Sequence, residues 1–182
     1  MILRRNQLAE PYRYGQRRIT LIGMENKMPT LYMLCGVPAS GKSSWVATQN
    51  FDWNKTMVVS TDAIIDQRAA AQGKTYSDVF QDEIKGATAQ MNANLKQAID
   101  NKMDILWDQT NLDVKSRRGK LLQVPNNYRK IAVFFKTPNE TELKRRLASR
   151  PGKNIPDNVV KNMMTKLEIP TKDEGFDEVI VI

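Results

Sequence analysis

A short glycine-containing motif constrains this chain more than any other feature. Residues 36–43 read Gly-Val-Pro-Ala-Ser-Gly-Lys-Ser, which fits the pattern G-x-x-x-x-G-K-[ST] at every fixed position. The apolar run Leu31–Cys35 precedes the motif and a helical segment, Ser43–Gln49, follows it. Glycine permits backbone angles that other residues avoid, so successive N–H groups can converge on an anion at the start of a helix. The motif therefore predicts a phosphate-binding loop between a strand and a helix, because a chance glycine turn would lack both flanks.

The residue types in this loop predict a nucleotide site. Lys42 is expected at the β- and γ-phosphates, and the hydroxyl of Ser43 at a magnesium ion. The predicted nucleotide contacts are Gly36, Pro38, Ala39, Ser40, Gly41, Lys42, Ser43 and Ser44. A GTPase would usually carry an N-K-x-D element, but here Asn54-Lys55 is followed by Thr56-Met57, so the sequence argues against a regulated GTPase. The loop alone does not separate an ATPase from a kinase.

Apolar runs and helical patterns alternate from Leu31 onward, which predicts a three-layer α/β domain around a mostly parallel sheet. The five predicted strands are Leu31–Gly36, Thr56–Ser60, Met103–Asp108, Lys130–Lys136 and Glu178–Ile182. Thr75 and Asp78 form a capping box at the start of a long helix. A second helix is predicted from Thr137 to about Arg150, and a third from Pro156 until Pro170 stops it. These last two predict a small helical lid.

The N-terminal residues 1–28 show no helical or strand period and are predicted to be a basic flexible arm. Residues 29–182 are predicted to form one domain that contains the phosphate-binding loop. The arm holds six Lys/Arg and two Glu, so it carries +4 of the net +8. A nucleic-acid-binding role, a mobile segment without a role, and translation starting at Met24 or Met28 all remain open. No apolar run approaches the roughly 18–20 residues of a membrane span, and no secretory signal is present, so a cytoplasmic location is expected.

The counts of cysteine and histidine exclude several mechanisms. Cys35 is the only cysteine and the chain has no histidine, which excludes an intramolecular disulfide, a cysteine-rich zinc site and Ser-His or Cys-His catalysis. A general base must therefore be Asp, Glu, Lys or Tyr, and a carboxylate is favoured.

Two carboxylates follow predicted strands at the edge where a doubly wound sheet binds its ligands. Asp62 follows the strand Thr56–Ser60, and Asp108 ends the strand Met103–Asp108. Asp62 is predicted either as the base that accepts a hydroxyl proton or as a helix cap, since Ser60, Thr61 and Asp62 all have cap chemistry. Asp108 is predicted either to hold magnesium or to cap the next segment.

Basic residues cluster on the helix that follows Thr137. Lys144, Arg145, Arg146 and Arg150 lie on this helix, and the last two are four residues apart and share a face. They are predicted either to neutralise charge on a transferring phosphoryl group or to form a solvated basic surface. The sequence Pro151-Gly152-Lys153-Asn154 just beyond is a predicted hinge for the lid.

Taken together, these segments resemble the 5′-kinase domain of polynucleotide kinases, as found in phage end-healing enzymes and animal repair kinase/phosphatases. The resemblance covers residues 31–182. It rests on five blocks in order: Gly36–Ser44; Val58–Asp62; Asp108-Gln109-Thr110-Asn111 with Ser116-Arg117 downstream; Thr141–Arg150; and residues 169–176, Ile-Pro-Thr-Lys-Asp-Glu-Gly-Phe.

The resemblance implies a role for individual residues. Asp62 corresponds to the base for the 5′-hydroxyl, Arg150 to a lid arginine over the donor phosphates, and Arg146 to its neighbour one turn earlier. Lys42 and Ser43 correspond to the phosphate and metal residues, with ATP and Mg²⁺ as cofactors. The implied acceptor contacts are Asp62, Thr110, Asn111 and Arg117.

The chain departs from the phage pattern at one position. Phage members carry an arginine three residues after the aspartate, where this chain has Ile65. Arg68 and Arg117 are the candidates to replace that arginine.

The sequence thus predicts an ATP-dependent polynucleotide 5′-hydroxyl kinase, in a host cytoplasm if phage-encoded. A small-molecule P-loop kinase acting on a nucleoside, nucleotide or sugar is the first alternative, and a nucleic-acid-binding ATPase is the second. Since the chain lacks the D-x-D-x-T motif of a phosphatase, a separate phosphatase or ligase is expected as partner. The sequence leaves open whether the acceptor is DNA or RNA and whether it is single-stranded or duplex. It also leaves the oligomeric state open.

Overall fold

A five-stranded parallel sheet lies at the centre of the computed structural model, which describes residues 28–182. The predicted arm, residues 1–28, lies outside the described residues except for Met28. The strands are β1 (Thr30–Cys35), β2 (Thr56–Val59), β3 (Asp104–Asp108), β4 (Arg129–Phe134) and β5 (Glu178–Val181). Their order across the sheet is β2-β3-β1-β4-β5, and every pair is parallel. The predicted α/β fold with five strands is confirmed.

Six α-helices connect these strands. They are α1 (Lys42–Thr48), α2 (Thr61–Ala71), α3 (Tyr76–Asp100), α4 (Val114–Leu121), α5 (Glu140–Ala148) and α6 (Asp157–Thr165). The longest, α3, begins at the predicted capping box of Thr75 and Asp78. Its buried residues Ala87, Met91 and Leu95 follow the spacing of four that turns one helix face toward the sheet. None of the helices described here is long and apolar enough to cross a membrane.

The two lid helices differ from the sequence prediction at their ends. Helix α5 begins after Asn139, whose side-chain oxygen accepts a 2.9 Å hydrogen bond from the backbone N–H of Glu142. The prediction that Thr137 caps this helix is therefore wrong by two residues, because the stronger cap residue lies further along the chain. Helix α6 ends at Thr165, well before Pro170.

The sheet is covered on both faces, and the strands alternate between two cores. In β1, the side chains of Leu31 and Met33 belong to the core under α3 and α4, whereas Leu34 belongs to the core that includes Val46 of α1. Successive residues of a strand point to opposite faces, so a central strand must be apolar throughout. Each such side chain, once fully buried, contributes about 1.5–3 kcal/mol to the free energy of unfolding.

A smaller apolar cluster attaches the lid, which we define as residues 140–165, to the phosphate-binding loop. Val37 of the loop is packed with Leu143 of α5 and Val160 of α6, and all three are at most 5% exposed. The lid therefore lies over the carboxyl ends of the central strands β1 and β3. That edge is where open parallel sheets bind their ligands.

Candidate active site

A cavity of about 1640 Å³ opens at the carboxyl ends of the strands. Its walls come from the phosphate-binding loop, the starts of α2 and α3, the end of β3, α4 and the lid. Most of the residues singled out in the sequence line it: Pro38, Ala39, Ser40, Gly41, Lys42, Ser43, Ser44, Asp62, Asp108, Thr110, Asn111, Arg146 and Arg150. Residues that lie far apart in the sequence thus meet at one site.

The phosphate-binding loop has the backbone that its glycines allow. Gly41 has φ of 110°, and Ala39 adopts φ of 62°, a left-handed conformation that is uncommon outside glycine. A side chain at Gly36 would place its Cβ 2.8 Å from the hydroxyl of Ser40 and 3.0 Å from the Cβ of Phe135. The loop therefore closes tightly at this position, and no other residue type fits without displacement.

The ammonium group of Lys42 lies on the loop itself. Its Nζ donates hydrogen bonds to the carbonyl oxygens of Gly36 at 2.9 Å and Val37 at 2.8 Å. Burial lowers the pKa of Lys42 to about 8, and the Asp108 carboxylate opposes part of that shift. The two carbonyl oxygens are neutral partners, and the oxygens of a bound phosphate would give the Lys42 ammonium an anionic partner. The buried hydroxyl of Ser40 has no hydrogen-bond partner among the described residues, so it also fits a nucleotide oxygen.

Asp108 and Ser43 offer oxygen ligands on the same cavity wall. Burial raises the pKa of Asp108, while the charge of Lys42 acts in the opposite direction. Among residues 28–182, no group of three or more Asp, Glu, His or Cys side chains is arranged to hold a metal. These two oxygen donors fit Mg²⁺, which is commonly bound by one or two protein oxygens together with substrate phosphates and water.

The carboxylate of Asp62 is not the cap of its helix. Ser60 caps α2, since its side-chain oxygen accepts a 3.2 Å hydrogen bond from the N–H of Ala63. Asp62 instead projects into the cavity, where Oδ1 accepts a hydrogen bond from the Tyr76 hydroxyl at 2.9 Å and Oδ2 lies 3.0 Å from Lys153 Nζ. The structure thus gives the cap role to Ser60 and leaves Asp62 available for chemistry.

The lid arginines occupy two different environments. Arg146 donates to the carboxylate of Glu142 at 2.6 Å and to the backbone oxygen of Ala39 at 3.4 Å, so it lies against the phosphate-binding loop. Arg150 lines the cavity, and its guanidinium has no hydrogen bond or ion pair with the part of the chain that the structure describes. An unpaired cation at this position fits an anionic ligand.

The other two cations of α5, Lys144 and Arg145, pair with carboxylates of their own helix. Lys144 contacts Glu140 at 2.7 Å, and Arg145 contacts Glu142 at 2.7 Å. Both cations are more than half exposed, so these pairs contribute little to stability. The solvated-surface interpretation therefore suits Lys144, whereas Arg146 and Arg150 lie inside the site.

Arg117 does not lie where the sequence places it. Its side chain is fully buried, and its guanidinium binds the carboxylate of Glu174 at 2.7 and 2.8 Å. Its third nitrogen donates to three backbone carbonyls, those of Asn111, Leu112 and Glu168. The prediction that Arg117 contacts an acceptor is wrong, because its side chain has no exposed surface and its guanidinium binds Glu174 and these carbonyls.

Two further acceptor candidates are also committed to protein contacts. Asn111 is 1% exposed, its amide donates to the Leu34 carbonyl at 2.7 Å, and its oxygen accepts from Lys120. Arg68 pairs with Glu83 at 2.7 Å and does not line the cavity. Thr110 lines the cavity and remains available as an acceptor contact, although its backbone oxygen already accepts from Gly36 N–H.

Sequence reasoning missed three residues of the site. Tyr76 and Lys153 contact Asp62 directly, and Lys120 lines the cavity with its pKa lowered by burial to about 8. Tyr76 stands at the first position of α3, beside the capping box, where an aromatic side chain is unexpected on an exposed turn. The hinge prediction covered Lys153 but gave no reason for its side chain to turn inward.

Comparison with known proteins gives a family match over most of the chain. The model of a family described as an AAA domain matches residues 31–170. The chain is 27% identical, over 158 residues, to an L-seryl-tRNA(Sec) kinase of Methanococcus maripaludis, covering 81% of this chain and 56% of that protein. This chain thus spans little more than half the length of that relative.

Two solved structures share the fold at low sequence identity. A chain of the Pnkp1/Rnl/Hen1 RNA repair complex superposes with a TM-score of 0.59 at 23% identity, over 85% of this chain and 48% of that one. A chain of the PezAT chromosomal toxin–antitoxin system of Streptococcus pneumoniae superposes with a TM-score of 0.60 at 15% identity, over 86% and 67%. At these identities the superpositions establish the fold and no more.

Proposed function

We propose that this chain, which belongs to the AAA-domain family and has the fold of a P-loop kinase, is an ATP-dependent polynucleotide 5′-hydroxyl kinase. The reaction moves the γ-phosphoryl group of ATP to the 5′-hydroxyl oxygen of a DNA or RNA end. The bond between that phosphorus and the β,γ-bridging oxygen breaks, ADP leaves, and the hydroxyl proton goes to a base.

The open side of the cavity is the observation that carries the choice of acceptor. At about 1640 Å³, the cavity exceeds the roughly 300–1,000 Å³ of sites that enclose one small ligand. Such a volume accommodates ATP together with a terminal nucleotide, and its open side leaves room for the rest of a strand. A kinase for a small metabolite is expected to enclose its acceptor instead.

The donor side of the cavity binds and orients ATP. The loop amides and Lys42 suit the β- and γ-phosphates, and Arg146 and Arg150 suit the charge that spreads over the transferring group. A magnesium ion held by Ser43 and Asp108 would neutralise phosphate charge when bound. Arg146 lies against the phosphate-binding loop and Arg150 lines the same cavity, so the donor phosphates would meet positive charge from both the loop and the lid.

The acceptor side supplies the base. The Asp62 side chain is 54% exposed, so a hydroxyl group can reach its oxygens. With no histidine in the sequence, a carboxylate at this position is the group best suited to orient the hydroxyl and take its proton. Thr110 and the lysines that line the cavity, Lys120 and Lys153, complete the acceptor wall.

A second acceptor has a specific observation in its favour. The relative from Methanococcus maripaludis is named as a kinase of L-seryl-tRNA(Sec) and is 27% identical to this chain. A hydroxyl carried on an aminoacyl-tRNA is therefore an alternative to a 5′-hydroxyl end. A polynucleotide end and an aminoacyl-tRNA are both far larger than a metabolite, so the open cavity does not distinguish between these two acceptors.

An acceptor panel tests the proposal. The protein is incubated with γ-labelled ATP and Mg²⁺ alongside a 5′-hydroxyl RNA or DNA oligonucleotide, the same oligonucleotide with a 5′-phosphate, L-seryl-tRNA(Sec), and a set of nucleosides and sugars. Label is expected on the 5′-hydroxyl oligonucleotides and absent from the 5′-phosphate control. Label on the seryl-tRNA or a small molecule alone would reassign the acceptor, and ADP release without any labelled acceptor would indicate an ATPase.

A further inference from the structure

Arg150 and the predicted hinge residues 151–154, together called the hinge segment, are docked on the first turn of α3. The carbonyl oxygen of Gly152 accepts a 3.0 Å hydrogen bond from the N–H of Ser77, and the N–H of Asn154 donates to the Ser77 hydroxyl at 3.1 Å. Gly152 has φ of 72°, and a Cβ there would lie 2.7 Å from the Cβ of Thr75. The segment therefore packs against α3 at a distance that only glycine permits.

Docking directs the side chain of Lys153 inward. Its side chain is 9% exposed, and its Nζ lies 3.0 Å from Oδ2 of Asp62 and 3.2 Å from Oδ2 of Asp66. The same nitrogen lies 3.8 Å from the ring centre of Tyr76, in the geometry of a cation–π contact. A buried ammonium group is stable only when it is paired, and here two carboxylates and an aromatic face provide the pairing.

The two contacts of Asp62 hold its carboxylate by both oxygens. The Tyr76 hydroxyl donates to Oδ1 at 2.9 Å from α3, while Lys153 holds Oδ2 from the hinge segment. Each carboxylate oxygen has further acceptor capacity, so both contacts leave a site for a substrate hydroxyl. The contacts therefore fix the direction of the carboxylate without blocking it.

We propose that Lys153 is a positioning residue that, with Tyr76, aims the Asp62 carboxylate only while the hinge segment is docked on α3. The inference rests on the proposed function in one respect, the assignment of Asp62 as the base. Arg150 belongs to the same segment and lines the donor side of the cavity. One docking step thus places a cation near the donor phosphates and aligns the base, which ties proton acceptance to the closed lid.

The first test removes the charge of Lys153 and keeps its apolar stem. For Lys153→Met, we expect kcat for phosphoryl transfer to fall by about 10- to 100-fold, because a misaimed base loses the near-attack geometry. The KM for ATP should stay within about threefold, since nucleotide contacts remain intact. Lys161→Met removes a cation from the exposed face of α6 and is the matched control, with wild-type kcat expected.

Tyr76→Phe removes only the hydroxyl donor and keeps the ring under Lys153. It should also lower kcat at unchanged KM for ATP. In the double variant with Lys153→Met, the fall in kcat should be smaller than the product of the two single falls, because both residues act through one carboxylate. Independent, multiplying effects accompanied by a lower melting temperature would indicate mere structural support and overturn the inference. So would a kcat of Lys153→Met equal to that of Lys161→Met.

Gly152→Ala tests the docking without altering any charge. The added methyl group should push the hinge segment off Thr75 and lower kcat like Lys153→Met. A wild-type kcat for this variant would show that docking does not control the base.

The tests also separate this inference from the proposed function. If the wild type labels no oligonucleotide but labels another acceptor, the proposed acceptor is wrong, and the same variants are compared on the acceptor that is used. If no acceptor is found, the ¹³C chemical shift of the Asp62 carboxyl group tests the contact between Lys153 and Asp62. A shift that changes in Lys153→Met and not in Lys161→Met supports the contact, and identical shifts overturn it.

Discussion

The donor and acceptor halves of the cavity are built in different ways. In the donor half, Lys42 bonds to the carbonyls of Gly36 and Val37, so the loop holds its own lysine within one short stretch of chain. In the acceptor half, Asp62 depends on Tyr76 from α3 and on Lys153 from the hinge segment. A local motif thus forms one half, and contacts between distant segments form the other.

The difference decides how each half responds to substitution. Donor residues act through backbone geometry that a single side-chain change leaves in place, so their loss should affect chemistry more than stability. Acceptor residues lie among groups that also join helices together, so there chemistry and stability must be measured separately. The predictions below run from the largest expected effect to the smallest.

Asp62→Asn should reduce phosphoryl transfer by about 10²–10⁴-fold while the protein stays folded, because the amide keeps the size but cannot accept the proton, and Asp66 still pairs with Lys153. Transfer rate and thermal unfolding are measured on the same preparation. Ser60→Ala is the matched control for the cap and should lower stability by roughly 0.5–2 kcal/mol with little change in rate. An Asp62→Asn protein that is active and melts at a lower temperature would show that Asp62 is not the base.

Arg117→Met should lower the free energy of unfolding by about 3–5 kcal/mol, because Glu174 is left as an unpaired buried carboxylate. Denaturant unfolding measures this change. Where enough folded protein remains, its KM for the acceptor should match the wild type, since Arg117 does not line the cavity. A stable variant with a raised acceptor KM would return Arg117 to the acceptor wall and contradict the structural role.

Lys42→Ala should lower transfer by about 10²–10³-fold, as expected for removing one charge contact to the transferring group. Its melting temperature should be close to that of the wild type, because Lys42 contacts only carbonyls of its own loop. Rate and melting are compared directly with Asp62→Asn. Transfer above about a tenth of the wild-type rate would contradict the assignment of the donor half.

The stability of Lys120→Met relative to the wild type should be greater at neutral pH than at high pH, although the variant loses the hydrogen bond to Asn111 at both. Burial lowers the pKa of Lys120 to about 8 from 10.5, so the unfolded chain binds the extra proton between those values. The cost of the buried charge is fully present below pH 8 and disappears as the pH rises toward 10.5, a change of about 2–3 kcal/mol. Unfolding at pH 7 and pH 10 measures it, with the exposed Lys115→Met on the same helix as control. An equal difference at both pH values would contradict the shift.

Sequence reasoning predicted the fold because its signals are local. The five strands are continuous apolar runs, and the start of α3 is marked by Thr75 and Asp78, so each boundary depends on neighbouring residues. The phosphate-binding loop was predicted for the same reason. The start of α5 was misplaced because Thr137 and Asn139 both have cap chemistry, and only the backbone decides between them.

The acceptor half was harder to predict because its contacts are tertiary. Arg117 lies in a basic stretch beside Arg118, and Lys153 lies in a polar loop, and nothing nearby in the sequence shows that one pairs with Glu174 and the other with Asp62. The sequence therefore placed Arg117 at the acceptor and gave the side chain of Lys153 no role. Charge alone identifies neither a ligand contact nor a structural pair.

The strand order also determines when the site can form during synthesis. Leu31 of β1 pairs with Ile105 on one side and Lys130 on the other, so neither partner of the strand exists when the ribosome has finished it. At about 5–20 residues per second, β1 waits several seconds for β3 and β4 to emerge. Through that interval its apolar side chains are unprotected on a nascent chain. The segment that delivers the phosphate-binding loop is made before both of its partner strands, so its burial depends on sequence about 75–100 residues downstream.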